Sequence, residues 1–403
     1  MPDVTTTSSP STPAPGATAD PGATADPGAT ADPGATAGPG ATPEDDGPAL
    51  PSSPLLARPG AVAAEGADRG VAWHYGDPVR EQRGLLAGTA VTDLSHRGVV
   101  RVSGPDRLTW LHSMTTQSLS GLAPGRSAET LVLSPHGHVE HALHLVDDGE
   151  SAWITVEPGT APALVDWLRR MQFMLRVEAS DETASWAVLG WVPVSGAEGG
   201  AAVPPGVVLP AGGPPAWDDP WPHRGETSAS YALVPDDEHP GLARPWREVL
   251  VPREGLADAV QHASLAGSWA AEALRVAAWR PRLGLDTDHR TIPHELDWLR
   301  TAVHLNKGCY RGQETVARVH NLGRPPRRLV MLHLDGSQNV LPGHGDPVTL
   351  PDVPDRALGQ VTSAARHHEL GPVALALVKR STPVDAGLTV DGLPASQEVI
   401  VAP

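Results

Sequence analysis

The chain has a single cysteine among its 403 residues. One thiol cannot close an intrachain disulfide, supply the two to four thiolates of a structural zinc or iron–sulfur site, or form a thioredoxin-type pair. A secreted disulfide scaffold is therefore excluded. Basic charge is also scarce, with 30 Lys and Arg against 47 Asp and Glu and a formal net charge of −17. Bulk affinity for nucleic acid or anionic membrane needs the opposite balance, so only a local basic patch could restore it. The opening residues MPDVTTTSSP have neither a basic nor an apolar leader pattern, and no run of about 18 apolar residues occurs. The expected location is cytoplasmic, with no membrane partner. No P-loop, GxGxxG or GxSxG motif is present, which leaves ATP-driven chemistry, a Rossmann dehydrogenase and an α/β-hydrolase unsupported. Lysine occurs only at Lys307 and Lys379, an arginine bias that carries no functional meaning.

What is present divides the chain. From residue 15 to 42 a six-residue unit, PGATAD or a close variant, occurs five times, the last copy cut short. Such units bury too little apolar surface to offset the entropy of ordering, so residues 1–65 are expected to be a disordered tail. Its first 50 residues carry Asp3, Asp20, Asp26, Asp32, Glu44, Asp45 and Asp46 without Lys or Arg, which accounts for −7 of the −17. Periodic segments follow. A strand is expected at 98–104, a helix from 105, two strands at ETLVLS and HVEHALHLV, and a second amphipathic helix at 163–175. That order predicts an α+β layer with helices on one face of an antiparallel sheet. Residues 195–245 read as a Pro/Gly-rich insertion and 263–279 as a helix. Short strands after Arg328 predict a small C-terminal β domain.

Residues 307–314 read KGCYRGQE and hold the one cysteine. Cys309 is either a small buried hydrophobe or a reactive thiol whose thiolate is favoured by Lys307 and Arg311. Gly308 and Gly312 would let backbone approach a ligand closely. Between 307 and 328, Lys307, Arg311, Arg318, Arg324, Arg327 and Arg328 face one acid, Glu314. Five excess charges there suggest recognition of an anion, a folate's glutamate tail, a phosphate or an RNA backbone, or else a solvated basic face. Upstream, Asp286, Asp288, His289, His294, Glu295 and Asp297 lack HExxH or EF-hand spacing, so no metal site is expected. His138, Glu140 and His144 fall on one strand face with His141 opposite, and are read as structural.

KGCYRGQE followed by TVARVHNLGRPPRRL resembles the YgfZ family of folate-binding proteins, relatives of the glycine cleavage T-protein, the aminomethyltransferase. HYGDPVREQRG and the segment 91–125 resemble the N-terminal T-protein domain, and 327–399 its C-terminal barrel. The resemblance implies a ring of α+β subdomains (66–325) around a channel that receives a tetrahydrofolate, with a small β-barrel at 326–403. It implies support of iron–sulfur cluster assembly or repair and, through it, tRNA modification, with Cys309 as reactive thiol or transient ligand. Folate contacts are expected at Lys307, Tyr310, Gln313, Glu314, Arg318, His294 and Glu295. Partners would be folate, iron–sulfur client or assembly proteins, and tRNA through 307–328. Two departures stand out: His141 and Ala142 occupy the positions of the T-protein strand carboxylate, and LRVAAW at 274–279 puts Ala277 where relatives with LRxEAG have glutamate. Aminomethyl transfer or demethylation is therefore the alternative, with an RNA-binding module third.

Overall fold

The computed structural model describes residues 52–194, 202–338 and 340–402. Most of the expected tail lies outside the described residues. Residues 52–65, assigned to it by composition, instead belong to the fold. Ser53 Oγ donates to Asp93 Oδ2 at 2.5 Å, and Leu55 is buried with Val91, Leu189 and Val251. One well-placed leucine outweighs a Pro/Ser-rich local composition when a preformed apolar face receives it.

The chain opens with a ribbon of β1 (Val62–Ala63) and β2 (Ala72–His74). Helix α1 (Pro78–Leu86) has Pro at its start, and the Asp77 side chain accepts from Arg80 N, a standard N-cap. Next come β3 (Ala90–Asp93), β4 (Gly98–Ser103), α2 (Arg107–Met114), β5 (Ser127–Leu133), β6 (Val139–Asp147), β7 (Ser151–Val156) and α3 (Ala161–Met171). After β8 (Glu178–Asp181), β9 (Trp186–Trp191) and β10 (Trp217–Asp218) come β11 (Arg247–Pro252), α4 (Leu256–Ala259), β12 (Ser264–Ala266) and α5 (Ser268–Ala277). Helix α6 (Gln313–Leu322) precedes β13 (Arg327–Leu334), β14 (Pro347–Thr349), β15 (Gly359–His367), β16 (Gly371–Lys379), β17 (Leu388–Val390) and β18 (Leu393–Val399).

These strands form two five-stranded sheets, ordered β5-β6-β7-β4-β8 and β10-β11-β9-β3-β12, and a closed barrel β13-β16-β15-β14-β17-β18. The first sheet is antiparallel and buries one face under α2 and α3, through Val100, Val102, Leu143, Ile154, Leu164 and Leu168. The α+β class and the C-terminal barrel are thus as the pattern predicts. Helix boundaries differ from the expected ones by two residues in most cases and by four or more at two places. Helix α3 ends at Met171 rather than at 175, because the chain turns through Met174 at φ 56. Helix α5 starts at Ser268 because 264–266 pair with β3, and a Cβ on Gly267 would stand 2.2 Å from the Trp73 carbonyl.

The described part of the insertion is largely irregular, yet it is not a surface excursion. Trp217 and Trp221 are buried, with their indole N–H groups donating to the carbonyls of Ala128 and Ala278, each at 2.9 Å.

Candidate functional site

The KGCYRGQE loop lies between the end of α2, the β5–β6 hairpin and the start of α6. Its seat is steric. Gly312 has φ 82 and a Cβ there would meet Ser134 O at 2.7 Å and Gly137 Cα at 3.0 Å; Gly137, also at φ 82, would meet Thr315. The close approach that these glycines permit is between loop and hairpin, not with a ligand. Lys307 is buried and its ammonium donates to three carbonyls, of His112, Thr115 (2.6 Å) and Gln117 (3.0 Å). It lies 5.2 Å from the centre of the Tyr310 ring, and burial lowers its pKa to about 8. The one lysine of the motif thus ties the loop to the C-terminal end of α2. Tyr310 is buried beneath the loop, and burial pushes its phenol well up. Gln313 Nε2 reaches Lys307 O at 3.4 Å. Cys309, by contrast, is exposed, as are Gly308, Glu314 and Arg318.

The apparent basic patch does not survive folding. Arg311 pairs with Glu140 at 2.9 Å. Arg327 binds Asp288 at 2.6 Å and Glu295 at 2.8 Å. Arg328 is fully buried and donates to Thr382 O at 2.8 Å. Of the six cations only Arg318 and Arg324 are exposed, too few for a phosphate-tracking surface. Glu295 is equally committed: it is buried, bound to Arg327 and accepts from Ile292 N, so it is not placed as a substitute for the missing glutamate at Ala277.

His294 is buried below α6, with Nε2 3.2 Å from Val316 O, and burial lowers its pKa to about 4. A histidine neutral in the fold and protonated near pH 6.5 when unfolded stabilises fully above that pH, and loses the contribution as pH falls towards 4. Urea unfolding of His294→Phe should therefore show a pH dependence between 6.5 and 4 that is shallower than wild type by about 1.4 kcal/mol per unit. Identical slopes would show that His294 is charged or solvated in the fold.

Two cavities neighbour these residues. An open cleft of about 390 Å³ is lined by Tyr310, Gln313, Val316, His320 and Asn321 on the α6 side and by Thr227 and Asn306 opposite. The other, of about 20 Å³, lies among Arg97, Glu129, Ala142, His144, Glu157, Arg282 and Trp298. This second cavity holds about one water. Around it the interior is filled. His144 stacks on Trp217 at 3.8 Å, while Trp221, Trp279 and Trp298 are each about 1 % exposed. Glu129 accepts from Arg280 (2.7 Å) and Trp298 (2.8 Å), and Arg282 pairs with Asp68 and Glu157, each at 2.8 Å. Ligand pockets take roughly 300–1,000 Å³, a range that the open cleft beside Tyr310 and Gln313 reaches and the small cavity does not. Ala142 lines the small cavity, and His141 is mostly buried and held neutral by desolvation, its pKa lowered to about 4. Neither supplies a carboxylate.

Asp297 had no distinguishing sequence signal beyond its acidic neighbours. It sits in the left-handed region at φ 56, fully buried, accepting from Tyr231 N (2.5 Å) and Ser230 Oγ (2.8 Å), and burial pushes its pKa up to about 7. Among the described residues, no group of three or more His, Cys, Asp or Glu could hold a metal ion.

The sheet order, the helices on β4–β7 and the seated hairpin occupy a stretch that also matches a known domain. Residues 55–196 match the model of the GCVT N-terminal domain. The GCVT likeness extends beyond it. The chain is 26 % identical over 319 residues, 76 % of its length and 70 % of the relative's, to a putative chloroplastic transferase of Arabidopsis thaliana. It is 23 % identical over 274 residues, 64 % of its length and 59 % of the relative's, to a mitochondrial iron–sulfur cluster assembly factor IBA57 homologue of Mycosarcoma maydis. The glycine cleavage system aminomethyltransferase T of Bartonella henselae superposes with a TM-score of 0.65 at 19 % identity, covering 88 % of this chain and 97 % of that one. Over that part of the chain the fold is GCVT-like. Among the described residues no helix is long and apolar enough to cross a membrane.

Proposed function

We propose that this chain is an accessory protein of iron–sulfur cluster assembly or repair, of the YgfZ type, in which Cys309 is a transient ligand to the cluster it handles. The observation that carries this reading is the exposed thiol on a loop made rigid by a buried lysine and a pair of interlocked glycines. Similarity to the IBA57 homologue supports it. The cluster is cargo: the thiol loses its proton to solvent and the sulfur lone pair binds one iron. Other ligands come from the donor or acceptor protein, since one cysteine cannot hold a cluster. tRNA modification would depend on the chain only through cluster-dependent enzymes. Folate is given no step in this reading: Lys307 and Glu295 are engaged within the chain, and a folate would take the open cleft beside Tyr310 and Gln313, which has the volume for one. Aminomethyl transfer ranks lower for want of a carboxylate at His141 or Ala142.

The test is complementation of a strain lacking the protein. Cys309→Ser should leave the melting temperature unchanged and reduce the activity of a cluster-dependent enzyme by about tenfold or more, given that even partners outside the ligand shell alter metal affinity on that scale. Full complementation by Cys309→Ser would sink the proposal.

A further inference from the structure

The turn after α3 carries Met171, Phe173, Met174 and Leu175, which are 43, 83, 90 and 38 % exposed. Phe173 is the chain's one phenylalanine. Packing into the sheet would be the ordinary fate of such residues, and a cluster of them in solvent marks an interaction site. The turn is held stiffly. Gln172 Nε2 donates to Val177 O at 2.6 Å, and Leu175 N to Gln172 O at 3.2 Å. Arg176 binds Asp106 through its guanidinium at 2.8 and 3.1 Å and through its backbone N–H at 3.0 Å. Below it, Gly104 approaches so closely that a Cβ would stand 2.1 Å from Arg176 O. Met174 at φ 56 is in a conformation that non-glycine residues rarely adopt. A stiff apolar tip loses little freedom on binding, which is the property of an anchor.

Charge narrows the partner. Arg169 and Arg170 flank the tip, both exposed, Arg176 is already balanced by Asp106, and Asp166 is the one acid of α3 itself. A chain of net charge −17 is repelled by an anionic membrane; a protein pocket with a local acidic rim avoids most of that repulsion. One helical turn before Met171, Trp167 carries the Arg311 guanidinium 5.9 Å from its ring centre, so the helix that bears the tip touches the loop that bears Cys309.

We propose that residues 171–175 are a preformed docking knob for a protein partner that offers an apolar pocket rimmed by Asp and Glu. The proposal rests on the exposure, stiffness and charge of this turn and does not require the thiol chemistry. Selection of a displayed random-peptide library on the full chain provides the probe. The enriched peptides should join large apolar residues to acids and bind more weakly as salt rises. Phe173→Ser with Met174→Ser should weaken them by about 30-fold or more, the loss expected of hot-spot side chains. Arg169→Glu with Arg170→Glu should weaken them too. Val208→Ser, at a 66 % exposed position elsewhere, should not, and Cys309→Ser should not, which separates failure of the knob from failure of the thiol reading. The knob is refuted if no peptide depends on Phe173. Phe173-dependent sedimentation with vesicles of phosphatidylcholine and phosphatidylglycerol would overturn it in favour of lipid. Phe173-dependent self-association in sedimentation velocity would overturn it in favour of a second copy.

Discussion

Asp286→Ala should lower the unfolding free energy by about 3–5 kcal/mol, the range for removing one member of a buried ion pair. Asp286 is fully buried. It accepts from Arg275 Nη1 at 2.7 Å, Arg282 N at 2.9 Å, Thr362 Oγ1 at 2.5 Å and Ser363 Oγ at 2.7 Å. Arg275 on α5 would keep Glu272 as partner but lose half of its neutralisation inside the protein. Thr362 and Ser363 lie at a bulge of β15, so this one carboxylate joins α5 and the 280–300 segment to the barrel. Asp286→Asn keeps an acceptor and most of the geometry, and should lose distinctly less. Urea unfolding at neutral pH measures both. A loss below about 1 kcal/mol for alanine would mean that water or a neighbouring side chain takes over the site, and that the barrel does not depend on this contact.

Trp279→Gly should have the second largest effect, and it bears on the closed centre. Trp279 stands where the LRxEAG pattern of T-protein relatives has glycine. Its backbone has φ 58, its side chain is about 1 % exposed and its indole N–H points at Met331 Sδ at 3.2 Å. Removing a buried tryptophan side chain costs about 3–5 kcal/mol, and relief of the left-handed strain returns on the order of 1 kcal/mol. A net loss of about 2–4 kcal/mol is expected. The same variant enlarges the interior beside Leu283, Leu296 and Trp298. Thermal-shift titration with tetrahydrofolate should show a larger stabilisation of the opened variant than of the wild type if the interior receives the ligand, and equal stabilisation of both if the open cleft does. Saturable stabilisation of the wild type that Trp279→Phe abolishes would show that the centre opens to admit the ligand.

Much of the fold was legible because it is local. Strands β4, β5 and β6 and helix α2 follow from apolar alternation or helical spacing over short windows, and the barrel from regular short strands between turn residues. The reading failed where a distant contact outweighs local pattern. Leu55 is held by residues from β3, β9 and β11, and the insertion's tryptophans by acceptors at Ala128 and Ala278. The site was legible as a motif but not as roles. Lys307, Glu295 and Arg327 look like ligand-binding groups on a line of sequence, yet each is engaged by residues of the chain itself.

The sequence alone determined that this protein has one thiol and no intrachain disulfide or self-contained cluster site, because those depend on residue counts. Tertiary structure alone decided which charges are free. Positive groups clustered between 307 and 328 are neutralised by Glu140, Asp288 and Glu295 and by the carbonyls of Thr115, Gln117 and Thr382, most of them far away along the chain. It also decided that the interior is filled by Trp217, Trp221, Trp279 and Trp298. Burial forces charge pairing and close packing between whatever side chains folding brings together, and among the groups it leaves in solvent are the thiol of Cys309 and the apolar turn after α3.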